Sequence, residues 1–173
     1  MDVAIISGNF RRTDWLKRKH VHYPRLSSIL LDFNGKTWEL LEKKDRTPDE
    51  DQRMLDYAHA SLAHWRTAGA EVRNQRGQWL LARVYAVLRE GTRAIKHAQL
   101  CYELLEGHKA DMEDFDFAFA YEAIARAYAV SGDKAEARRF IQMAQKAGEA
   151  IKGKEDRDIF FTEFNGGDWD GVK

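Results

Sequence analysis

The chain has 173 residues, 44% of them hydrophobic and 32% charged, with a formal net charge of zero and one cysteine. That is enough for a single domain with its own core. The lone Cys101 excludes an internal disulfide and fits a reducing compartment, and no apolar run is long enough for a bilayer span or a secretory signal, so a cytoplasmic protein is expected.

Residues 1–25 hold Arg11, Arg12, Lys17, Arg18, Lys19 and Arg25 against Asp2 and Asp14, and read as a basic, poorly ordered leader. Phe33-Asn34-Gly35 is a turn signal, and a short helix is expected from Thr37 to Lys44. Thr47-Pro48-Asp49-Glu50 opens a helix: a capping threonine, proline in the first turn and acids at the positive end. It should run through Met54, Ala58, Leu62 and Trp65 and stop at Gly69. Further helices are expected from Glu71 to Glu90, Arg93 to Glu106, Phe115 to Val130 and Lys134 to Ile151, with a polar connection over 107–114. The stretch 115–130 is apolar on nearly every face, which suits the middle of a stack. A last helix should cover Asp156 to Phe164, followed by a flexible tail, 165–173.

Two stretches share one spacing. Leu81, Ala82, Tyr85, Ala94, Ala98 and Cys101 correspond to Ile124, Ala125, Tyr128, Ala137, Ile141 and Ala144. A large residue, a small one, a tyrosine and a later alanine at fixed offsets describe a pair of antiparallel helices, and such pairs stack into solenoids. The matching tyrosines lie 43 residues apart, and the excess over a period of about 34 residues falls in the connection 107–114.

The run Ile124-Ala-Arg-Ala-Tyr128-Ala-Val-Ser-Gly132-Asp133, with Glu136-Ala137 and Ala144, resembles a tetratricopeptide repeat. The best repeats are 75–106 and 115–151. The wording of 33–43 and of His59 to Trp65 is similar to small bacterial proteins of that superfamily, a likeness that implies no activity. The resemblance implies an all-α, right-handed stack of antiparallel helix pairs with about six main helices, one domain over 26–164, and a concave groove for a peptide or protein segment. In that register the groove is lined by Arg76, Trp79 and Arg83 from one repeat and by Phe119, Glu122 and Arg126 from the next. Paired guanidinium groups beside aromatic rings suit a partner rich in carboxylates. The alternative for Glu122 is a pair with Arg126, four residues on.

Catalytic patterns are thin. His59 and His64 lie about 140° apart around their helix and cannot grip one metal; His64 is expected to pack inside the stack. Ser61 has no oxyanion donors beside it, since a mid-helix serine finds the nearby N–H groups already used. Cys101 fills a position that wants a small core residue, and Gly166-Gly167 lacks the strand and helix of a phosphate loop. No cofactor or metal is expected.

The expected function is a non-catalytic interaction protein whose partner is an acidic peptide or protein segment. The alternatives are a sensor for a small acidic ligand in the same groove, or a hydrolase or metal enzyme. Membrane binding is not expected, and the basic arm 1–25 is the only candidate for contact with nucleic acid. Phe160, Phe161, Phe164 and Trp169 are expected to be exposed and to cap the stack either of this chain or of a second copy, the latter giving a homodimer.

Overall fold

The computed structural model describes residues 27–67 and 71–173, so the leader 1–25 lies outside the described residues. Among these the fold is all-α: α1 (Ser27–Glu42), α2 (Pro48–Thr67), α3 (Glu71–Val87), α4 (Gly91–Gly107), α5 (Asp114–Ser131), α6 (Lys134–Glu149) and α7 (Lys154–Asn165), with a 3-10 turn at Lys109–Asp111 and no strand. Each helix packs on the next in sequence, and α5 touches α3, α4, α6 and α7. The odd-numbered helices also meet one another out of sequence order, α3 with α5, α5 with α7 and, through Trp38 and Trp79, α1 with α3, and so form one layer. A ladder of rings joins the odd layer, one from each helix: Trp38 to Trp79 at 5.7 Å, Trp79 to Phe119 at 5.1 Å and Phe119 to Phe160 at 5.1 Å.

The helix starts follow local chemistry. Thr47 and Glu50 cap reciprocally, Thr47 N donating to Glu50 Oε2 at 3.0 Å and Glu50 N to Thr47 Oγ1 at 3.3 Å. A hydrogen bond from Lys43, then the one from the Thr47 backbone, pulls the Glu50 carboxyl down to about 2. Asp133 caps α6 by accepting from Glu136 N at 3.1 Å.

The ends of α3 and α5 share one hydrogen-bond pattern at the 43-residue offset. Arg89 N donates to Ala86 O and Glu90 N to Tyr85 O; Gly132 N donates to Ala129 O and Asp133 N to Tyr128 O. Both helices thus close in a Schellman motif whose left-handed residue is Arg89 (φ 64°) in one and Gly132 (φ 89°) in the other. Leu81, Tyr85, Ala94, Ile124 and Ala137 are buried as the spacing implies, while Tyr128 is only half-buried, stacked on Phe140.

Two expectations are corrected. No turn occurs at Phe33-Asn34-Gly35: α1 continues through it to Glu42. Phe33 stacks on Tyr57 and His64 of α2, and Thr37 Oγ1 bonds back to Phe33 O at 2.8 Å, so packing overrides the local turn preference. The tail 165–173 is packed rather than loose. Trp169 is 6% exposed, donates Nε1 to Phe164 O, and meets the Phe164 ring at 5.5 Å.

Helix α7 reaches the stack through Gly148 of α6, where a Cβ would run into the Phe160 ring. Phe160 is an inflexible neighbour, wedged between Phe119, Phe161 and Phe164. Gly148→Ala should therefore overpack the α6–α7 contact and cost about 1–3 kcal/mol despite its better helix propensity. Urea denaturation of the two chains checks this; an unchanged midpoint would contradict the packing.

Candidate functional site

The six residues expected to line a groove are brought together, on adjacent turns of α3 and α5. They are largely withdrawn from solvent, Phe119, Glu122 and Arg126 buried and Arg76, Trp79 and Arg83 half-buried. Glu122 is fully buried, and its Oε1 accepts from Arg83 Nη1 at 2.7 Å and from Arg126 Nε. Trp79 Nε1 lies 3.4 Å from Glu122 Oε2. Arg76 forks onto Asp116, Nε to Oδ1 at 2.8 Å and Nη2 to Oδ2 at 2.9 Å, and sits over the Phe115 ring. Arg83 reaches a second carboxylate, Glu163 of α7, at 3.4 Å.

Arg126 connects three elements. It holds Glu122 on its own helix, donates Nη2 to Glu163 O (2.8 Å) and Gly166 O (2.9 Å), and donates Nη1 to Asp168 O at 3.2 Å. Its guanidinium also lies 4.0 Å from the centre of the Trp169 ring. Arg83 and Arg126, expected to line a groove, therefore also bridge α3, α5 and α7. Helix α7 and residues 166–170 cover them, and Phe160, Phe164 and Trp169, expected as exposed rings, are spent inside the same chain.

Charges in this interior balance: Arg76, Arg83 and Arg126 against Asp116, Glu122 and Glu163. Burial pushes the Glu122 carboxyl up, but the charges of Arg126 and Arg83 outweigh it and leave it below the ordinary carboxylate range. The acidic partners Asp116 and Glu163 are absent from the sequence expectation. Asp116 had a signal, since it sits three residues after Glu113, whose N–H it accepts at 3.0 Å. Glu163 had none.

Beside this cluster lies a cleft of about 670 Å³ between the α1–α2 turn, the end of α3, the end of α5 and residues 167–170. Arg83 and Arg126 form part of its wall, and Lys43, Lys44, Arg46 and Arg89 add four more cationic side chains, against Glu42, Asp168 and Asp170. Leu41, Ala86, Val87 and Val130 supply apolar surface. Lys43 pairs with Glu50 and Arg46 with Asp51, both at 2.6 Å, while Lys44 is exposed.

The other sequence candidates have structural partners. Ser61 Oγ accepts from Trp65 Nε1 at 3.1 Å, and His64 stacks on Phe33. Cys101 is fully buried and accepts from Gln75 Nε2 at 3.2 Å; burial pushes its thiol far up, the reverse of an activated nucleophile. No group of three or more metal-ligating side chains occurs among the described residues, and none of their helices is long and apolar enough to cross a membrane. His59 meets Tyr85 OH through Nε2 at 2.9 Å, and His97, stacked on Tyr85, meets Gln78 Oε1 through Nδ1 at 2.8 Å. Burial, then the neighbouring His59, lowers His97 to about 4.

Glu122→Ala should strand two guanidinium groups in the interior and cost about 3–5 kcal/mol in urea denaturation, well beyond an exposed ion-pair deletion. Acid should weaken the fold. Below pH 6.5 an unfolded His97 binds a proton that the folded one refuses until about pH 4, so stability falls with pH through that window. The lowered carboxyl of Glu122 adds a further loss below its unfolded value of 4.5. Melting temperature should drop from pH 7 to 4.5, and His97→Gln should flatten the 6.5 to 4.5 portion.

Comparison with protein-family models, with curated proteins and with solved structures finds no match to this chain.

Proposed function

We propose that the protein is a non-catalytic, tetratricopeptide-like interaction protein that binds an acidic protein segment in the cleft between the α1–α2 turn and residues 167–170. The observation that carries the reading is the cleft's charge: six cationic side chains against three acidic ones in a chain of zero net charge. The interior arginines are neutralised by their own carboxylates, so the attraction for a partner comes from the rim: from exposed Lys44, and from Lys43 and Arg89, whose pairs with Glu50 and Asp170 a partner carboxylate would have to replace. Apolar Leu41, Val87 and Val130 between those cations suit a segment that alternates acidic and apolar residues. The shared closure of α3 and α5 at Tyr85 and Tyr128 supports the repeat reading, and the buried, unpaired Cys101 suits a reducing, cytoplasmic setting.

The volume of the cleft also suits a small acidic metabolite, which is the second reading. Fluorescence anisotropy with a labelled glutamate-rich peptide, competed by dicarboxylates and by inorganic phosphate, separates the two. Peptide binding that weakens with salt and resists the small competitors supports the first. Lys44→Glu should weaken peptide binding by about 1 kcal/mol, roughly fivefold, with the melting temperature unchanged because the side chain is exposed. An unaltered affinity would remove the cleft from consideration.

A further inference from the structure

One wall of the cleft is a segment of the chain that itself has the chemistry of a ligand. After α7 ends at Asn165, residues 166–173 turn back across the odd layer through positive φ at Gly167 (74°), Asp170 (53°) and Gly171 (67°). Gly167 passes so near that a Cβ there would lie 3.1 Å from Arg126 Nη1. Asp168-Trp169-Asp170 then engages two guanidinium groups. The Trp169 ring lies on Arg126, while Arg89 pairs with Asp170 and stands 3.7 Å from Asp168. An indole on one arginine and two carboxylates at another is the contact set an acidic, aromatic peptide would make with these same residues.

The latch at Arg89 is not optimised for permanence. Its side chain is 60% exposed against 14% for Asp170, so water competes for the guanidinium end of the pair. Asp170 Oδ2 is buried with no hydrogen-bond partner, so the carboxylate is only half satisfied. Arg89 also holds a left-handed backbone conformation that its counterpart Gly132 adopts without strain. A glycine would close α3 better. The arginine keeps a strained backbone and in return supplies the side chain that meets the segment.

We propose that residues 166–173 are a displaceable strap, and that the partner is a segment of another protein in which an aromatic residue is flanked by acidic ones, taking the strap's place on Arg89 and Arg126. The proposal rests on the acidic-segment reading above and adds the sequence chemistry of the partner and the competition it must win. With the strap closed, the apparent affinity of such a segment is reduced by the fraction of open molecules.

The test uses the full chain, its Trp169→Ala and Asp170→Asn variants, and a labelled synthetic peptide with the sequence of residues 165–173. Both variants loosen the strap while leaving Arg89 and Arg126 in place, and circular dichroism establishes that each is folded. Anisotropy should show the peptide binding both variants at least about tenfold more tightly than the parent chain. A peptide with alanine for its tryptophan, or with asparagine for its two aspartates, should lose that gain. Arg89→Gly supplies a control that relieves backbone strain and removes the latch: its melting temperature should hold, and its peptide affinity should fall below that of Asp170→Asn. Equal peptide affinity for the parent and both folded variants would overturn the strap, as would equal gain for the tryptophan-free peptide. If the parent nonetheless binds a glutamate-rich peptide in a salt-sensitive way, the strap fails while the acidic cleft survives; if no acidic peptide binds any of the chains, both fail. Concentration-dependent dimerisation of the parent that Trp169→Ala abolishes would overturn the assignment to another protein, the strap then being exchanged between two copies.

Discussion

A carboxylate with no exposure to water, Glu122, accepts from two guanidinium groups, and the arrangement of the odd-numbered helices follows from that. Burying a lone carboxylate is prohibitive, so Arg83 from α3 and Arg126 from α5 must both be present before the two helices can close. Once they are, each arginine has donors left over. Arg83 reaches Glu163, and Arg126 reaches the carbonyls of Glu163, Gly166 and Asp168. The ion cluster therefore calls for a third element, α7, whose Glu163 meets Arg83 with its carboxylate and Arg126 with its carbonyl and so fixes where that helix lies.

Apolar packing acts in the same direction. The ladder from Trp38 to Phe160 runs alongside the ion cluster, and Gly148 lets α7 approach closely enough to complete it. Together the two contacts turn a surface that a helical stack would leave open into an interior. The positive charge outside that interior is then at the rim of the cleft, where Lys43 and Lys44 belong to the α1–α2 turn and Arg89 to the end of α3. Those residues come from connections, the parts of a rigid stack that can vary without disturbing its packing.

Local chemistry made most helices legible in the sequence. Thr47-Pro48 and Asp133 start helices through their own side chains, and the equivalence of Tyr85 with Tyr128 reappears as matching closures of α3 and α5. Small residues at Ala94, Ala98, Ala137 and Ala144 are buried because helix pairs approach closely there. Asn34-Gly35 misled, because its turn preference amounts to a fraction of what Phe33 gains by stacking on α2. The 43-residue offset seen in the sequence also places Arg83 and Arg126 at equivalent positions of α3 and α5, where both meet Glu122.

The sequence by itself determined the helices, their pairing order and which side chains share the face of α3 and α5, because those depend on contacts within a few turns or on a regular offset. Only the tertiary structure decided whether that face is a surface or an interior. Glu163 and Trp169 meet Arg83 and Arg126 from far along the chain, outside any repeat register, so no periodicity announces them. Their positions depend on where α7 docks, and that is settled by the summed burial of rings and the pairing of charges rather than by any local signal in residues 154–173.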